Sequence, residues 1–108
     1  MYYRMDGTPY LGENATLEWA NDFENTKDRI IAQETLPDGK FISTVWLGLD
    51  HQFGIGKPLI FETMVFGENR EELDSERYST LEEAKDGHKR MVIKFHSVQS
   101  NKEDSWTK

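Results

Sequence analysis

Four positions in the chain bear groups that could do chemistry together: the adjacent Asp50 and His51, Glu62, and His88. Imidazole and carboxylate side chains can ligate zinc, or serve as acid and base toward a substrate. Asp50 and His51 follow one expected strand, Glu62 lies within the next, and His88 lies on the apolar stripe of the last helix. A small sheet could gather them on one face. No pair has a diagnostic spacing such as His-x-x-x-His, and a single histidine on an apolar helix face is usually a core residue with one satisfied nitrogen. Glu62 is the sharper anomaly. A carboxylate inside the apolar run Leu59-Ile-Phe-Glu-Thr-Met-Val-Phe66 must be paired, protonated or turned outward. Arg29 and Arg90 are the expected ion-pair partners.

Gly54-Ile55-Gly56-Lys57 is a second candidate. A phosphate-binding loop needs Gly-x4-Gly-Lys-Ser/Thr opening a helix. Here the upstream glycine position is His51, Lys57 is followed by Pro58, and a strand comes next. The segment reads as an inter-strand loop instead. The stretch from Glu68 to Asp86 carries eight acids and three bases, a net −5 out of the −7 of the whole chain. Such a block can dock a basic partner, or simply be a solvated connection and helix start.

The elements that position these groups follow from spacing. Residues 14–24 read as a helix, with Asn14 as N-cap and Ala15, Trp19, Ala20 and Phe23 forming one apolar face. Residues 28–36 and 40–49 read as two strands joined at Pro37-Asp38-Gly39, where proline presets the first turn position and glycine takes the left-handed one. A three-residue loop sets Thr35 opposite Phe41, Glu34 opposite Ile42, Ala32 opposite Thr44, Ile31 opposite Val45 and Ile30 opposite Trp46. A two-residue loop would shift this register by one. Residues 50–58 are a loop, 59–66 a third strand, and 67–77 a polar acidic connection. The last helix opens with a capping box, Thr80 with Glu83 or Ser79 with Glu82. It carries Leu81, Ala84, His88, Met91, Val92 and Phe95 on one stripe, and Gly87 within it suggests close packing on the sheet. The expected fold is α+β, a three-stranded antiparallel meander with an N-terminal and a C-terminal helix, in the order helix-strand-strand-strand-helix. One domain spans 1–98, with a flexible polar tail at 99–108 in which Trp106 stands isolated.

Composition bounds the function classes. At 108 residues the chain holds one domain, and without cysteine it carries neither a disulfide framework nor a thiolate metal site. The acidic balance argues against nucleic acid, no apolar run is long enough to span a membrane, and Met1–Asp6 lacks the apolar core of a secretory leader. A cytoplasmic protein with no cofactor is expected. The hairpin carries apolar residues on both faces: Ile30, Ile42 and Trp46 on one, Ile31, Phe41, Val45 and Leu47 on the other. If both helices cover one face, the other becomes an interface for a partner or a second copy.

Three long segments resemble a family of small proteins encoded by tailed phages and prophages. They are Ser43-Thr-Val-Trp-Leu-Gly-Leu-Asp-His-Gln-Phe-Gly54, Pro58-Leu-Ile-Phe-Glu-Thr-Met-Val-Phe-Gly67 and Arg77-Tyr-Ser-Thr-Leu-Glu-Glu-Ala-Lys-Asp-Gly-His88. Asp6-Gly7-x-Pro9 and Trp19-Ala20-x-x-Phe23-Glu24 add to the likeness, which covers about residues 2–95. It implies a phage or prophage origin and a place in the host cytoplasm, and it implies no activity. The residues it singles out beyond obvious core are Asp50, His51, Phe53, Gly54, Glu62, Thr63, Tyr78 and His88. The family's usual Gly-x-Pro-Pro is here Gly56-Lys57-Pro58, which alters any contact made there.

Together these observations predict an accessory protein that binds a protein partner, host-encoded or otherwise, through its sheet face and the 50–58 loop. Asp50, His51, Phe53, Gly54, Glu62, Tyr78 and His88 are the expected partner-binding residues. Two alternatives stand beside it: a metal-binding or hydrolytic enzyme using Asp50, His51, Glu62 and His88, and a structural homo-oligomer such as a homodimer.

Overall fold

The computed structural model describes residues 1–50 and 56–106, with side chains up to His96. The expected elements are present, with one addition. Helix α1 spans Ala15–Asn25, and a 3-10 turn at Lys27–Arg29 leads into β1, Ile30–Thr35. β2 is Phe41–Trp46, β3 is Phe61–Phe66, β4 is Glu72–Tyr78, and α2 is Leu81–Trp106. The four strands form one antiparallel sheet in the order β1-β2-β3-β4. The fold is thus α+β as expected, but with a four-stranded sheet in place of a three-stranded one.

β4 corrects the reading of 67–77 as a connection. Of its inward positions only Tyr78 at the end is apolar in body, while Asp74 and Glu76 are acids, so no period-2 hydrophobic signal marks it. Those carboxylates meet α2 instead: Lys94 Nζ donates to Asp74 at 2.7 Å and Arg90 Nη2 to Glu76 at 2.7 Å. Two residues along a strand advance about 6.8 Å and four along a helix about 6 Å, so the two ion pairs are in step. β4 shows the charged composition expected of an edge strand.

The hairpin register is the three-residue one as far as Ala32, with Thr35↔Phe41, Glu34↔Ile42 and Ala32↔Thr44. A bulge between Ile30 and Ala32 then sets Ile30 opposite Val45, not Trp46. Gly39 takes φ +94°, the left-handed conformation that the turn requires. The capping box on α2 forms with Thr80: Glu83 N–H donates to Thr80 Oγ1 at 3.1 Å, and Thr80 N–H to Glu83 Oε1 at 3.1 Å. Asn14 makes no side-chain cap on α1. The helical backbone of α2 runs to Trp106, through most of the segment 99–108 expected to be a tail.

Both helices lie on the same face of the sheet. Ile42, Thr44 and Trp46 of β2 and Phe61, Thr63 and Val65 of β3 point into the core and are almost wholly buried. α2 adds Ala84, His88, Met91 and Phe95. α1 covers the far end, with the Phe23 ring 6.1 Å from that of Trp46. Trp19 donates its indole N–H to Leu47 O at 2.9 Å. The N-terminal arm closes this end: Tyr2 stacks on Trp19 at 4.4 Å, and Trp46 Nε1–H donates to Tyr3 O at 3.0 Å.

Candidate functional site

The two sheet faces divide the expected site residues. Alternation along β3 turns Thr63 inward and Glu62 outward. Glu62 Oε2 accepts from Arg77 Nε at 3.0 Å on the outer face of the β3–β4 pair, so its partner is Arg77 rather than Arg29 or Arg90. His88 lies on the inner face beneath α2, 3% exposed. Glu62 and His88 therefore do not meet. Asp50 Oδ1 accepts from Leu59 N–H at 3.1 Å, bracing the two ends of the intervening loop. His51, Phe53 and Gly54 lie outside the described residues, as does much of the Gly54–Lys57 segment. Tyr78 and His88 are core residues, 5% and 3% exposed, and present almost no surface to a partner. Among the described residues, no group of three His, Cys, Asp or Glu side chains is arranged to hold a metal ion.

The inner face holds a polar cluster that spacing alone does not reveal. His88 Nδ1 is 2.7 Å from Thr44 Oγ1, and its Nε2 is 3.1 Å from Glu34 Oε1. Thr44 Oγ1 is 2.5 Å from Thr63 Oγ1, and Tyr78 OH donates to Thr63 Oγ1 at 3.0 Å. Both imidazole nitrogens are thus partnered, where one satisfied nitrogen was expected. Each strand supplies one member: Glu34 from β1, Thr44 from β2, Thr63 from β3 and Tyr78 from β4. Burial drives the Tyr78 phenol up to about 12, with the nearby Glu76 carboxylate adding to the shift and the Thr63 bond opposing it.

Carboxylate, imidazole and hydroxyl in sequence invite comparison with a nucleophile triad. Accessibility decides against that role. Thr44 and Thr63 are both 0% exposed, so no substrate carbon can approach either hydroxyl. The cluster's evident work is to satisfy polar groups under α2. Left unpaired, each would cost about 1–3 kcal/mol. The signal for it in the sequence is Thr44 and Thr63 at inward positions of otherwise apolar strands.

The outer face is open. Phe41 and Val45 of β2 and Met64 and Phe66 of β3 lie on it, half-buried, and among the described residues no helix packs on them. Phe41 and Phe66 are direct cross-strand neighbours. Ile30 and Leu73, 42% and 43% exposed, add apolar surface on the two edge strands. At the turn end the two phenylalanines floor a groove of about 640 Å³, walled by Thr35, Gly39, Glu68 and Arg70. A second depression, about 610 Å³, lies between the Met5–Gly7 turn and the start of α2, over Ile60 and Leu81.

No helix among the described residues is long and apolar enough to cross a membrane. No protein-family model matches the chain, and neither curated proteins nor solved structures yield a match.

Proposed function

We propose that this chain is a small accessory protein of phage or prophage origin that works in the host cytoplasm by binding a protein partner through its open sheet face. The observation that carries the reading is the packing of both helices on one face. That leaves the row Phe41, Val45, Met64 and Phe66 uncovered. A contiguous apolar strip of this kind is uncommon on a protein that works alone. The phage origin rests on the resemblance of the segments at 43–54, 58–67 and 77–88.

The size of the face shapes the partner. Four strands about 4.8 Å apart and about 20 Å long cover on the order of 400 Å² in projection. A standard interface buries about 800 Å² on each side. The partner therefore also engages the rim, and the Phe41–Phe66 groove between the two turns offers a pocket for an apolar anchor. The ion-paired Glu62 and Arg77 lie at the opposite end of the face, where they set orientation more than affinity.

The test is substitution of Met64→Lys and of Val45→Lys. Each places a charge on the open face without entering the core. A partner captured by the wild type and identified by mass spectrometry is expected to bind neither variant, while Lys85→Glu on the exposed side of α2 leaves binding intact. Light scattering of the purified protein separates a second copy from a different partner. A wild-type protein that stays monomeric and captures no partner from host lysate overturns the reading.

A further inference from the structure

We propose that Glu34, His88, Thr44, Thr63 and Tyr78 form one reversible hydrogen-bond relay across the sheet, whose direction is set by the charge on His88. The relay goes beyond the binding role and is independent of it. The argument is an accounting of donors. An ionised Glu34 only accepts, so the Nε2 of His88, 3.1 Å away, carries a proton. In the neutral ring Nδ1 is then an acceptor, and among the described residues the hydroxyl in reach is that of Thr44 at 2.7 Å. With the Thr44 hydroxyl proton directed at Nδ1, the 2.5 Å contact requires Thr63 to donate to Thr44. Tyr78, at 3.0 Å, donates in turn to Thr63. Every donor points the same way, from β4 toward Glu34 on β1.

A proton taken from solvent onto Nδ1 reverses the chain by rotation of hydroxyls alone. Nδ1–H now donates to Thr44, Thr44 to Thr63, and Thr63 to the Tyr78 oxygen. The Tyr78 proton then needs a new acceptor, and the relay assigns that role to Glu76, two residues back on the same side of β4. No hydroxyl gains or loses a proton. The charge state of one buried ring is thereby read at the opposite edge of the sheet, at Glu76, which also holds Arg90.

Charged and polar groups face His88 from the elements packed around it. β1 presents Glu34, and β4 presents Tyr78, Glu76 paired to Arg90 and Asp74 paired to Lys94. β2 and β3 present only Thr44, Thr63 and apolar residues to it. On α2 itself Lys85, Lys89 and Arg90 are exposed to solvent.

The experiment is a pH titration of the intact protein by NMR, with the His88 resonances assigned through His88→Gln. At high pH the ring is expected as the Nε2–H tautomer. Where the ring gains its second proton, the Tyr78 ring resonances are expected to step in the same pH interval. Thr63→Val removes the middle hydroxyl and is expected to abolish the Tyr78 step while His88 still titrates; Thr63→Ser is expected to restore it. A Tyr78 step that persists in Thr63→Val is a through-space charge effect and overturns the relay. An Nδ1–H tautomer in the neutral ring overturns it, as does a Tyr78 signal that stays unchanged when the ring takes up its second proton. These wild-type readouts stand even if Thr63→Val does not fold.

Discussion

Gly87→Ala isolates the contact that seats α2 on the sheet. Helix propensity alone says that alanine should stabilise a mid-helix position by about 1 kcal/mol. The structure says the opposite. A Cβ built on Gly87 falls 2.2 Å from both Cζ and the hydroxyl of Tyr78, and 2.3 Å from Cε1. Ordinary carbon contacts lie near 3.5–4 Å, so the shortfall exceeds about 1 Å. The ring has little freedom to yield: it is 5% exposed, and its hydroxyl is held by Thr63. Either α2 lifts away from β4 or the phenol gives up its bond. Overpacking costs about 1–3 kcal/mol and the lost hydrogen bond about 1 kcal/mol. Set against the propensity gain, the net expectation is a loss of about 2 kcal/mol. That lowers Tm on the order of 10 °C for a domain of this size. Urea denaturation with an unchanged m-value is the assay. In a Tyr78→Ala background the obstruction is gone, and the same Gly87→Ala change should become stabilising. If Gly87→Ala alone matches or exceeds the wild type in stability, the close approach of helix and ring is refuted.

Three further outcomes follow from the same contacts. Tyr10 and Tyr78 both have phenols raised from 10 to about 12, chiefly by burial, so the folded state holds protons there that the unfolded chain releases. Their stabilising contribution is complete below pH 10 and is lost as pH rises toward 12; urea midpoints followed with pH should flatten in that window for Tyr10→Phe and Tyr78→Phe. Thr80→Ala removes the α2 cap, with an expected loss of about 1 kcal/mol by the same denaturation assay, and no loss would show the box to be dispensable. Asp74 is held below the usual carboxylate range, mainly by its bond from Lys94, so the pair's stabilisation is present above that range and fades as pH falls through the folded value; Asp74→Asn should remove this part of the acid dependence, and an unchanged acid limb would refute the pairing.

The sequence by itself determined the elements with strong local signals. Pro37-Asp38-Gly39 specified a tight turn because proline and glycine restrict and extend the backbone locally, and the register followed as far as Ala32. Thr80 and Glu83 marked the start of α2 because a capping box is a contact over one helical turn. The stripe of Ala84, His88, Met91 and Phe95 identified the buried side of that helix, since 3.6-residue periodicity is legible without a partner. Gly87 hinted at close packing, and only the fold named Tyr78 as its neighbour.

What the tertiary structure decided depends on residues distant in the chain. β4 is held inward by charges that are meaningful only opposite Lys94 and Arg90, so hydrophobic patterning passed over it. The bulge at Ile30 shifts one end of the hairpin, a departure that local turn chemistry does not encode. Glu62 and His88 looked combinable as residue types, yet adjacent strand positions face opposite ways, and that parity separated Glu62 on the outside from Thr63 and His88 within. Thr44 and Thr63 are ordinary β-branched strand residues until His88, 44 and 19 positions of chain separation respectively linking Thr44 to its ring and to Thr63, completes their hydrogen bonding. The choice of one face for both helices was likewise tertiary. Each apolar stripe fits either side of a two-faced hairpin, and the short connections and the Trp19, Phe23 and Trp46 packing selected the side that left Phe41, Val45, Met64 and Phe66 open.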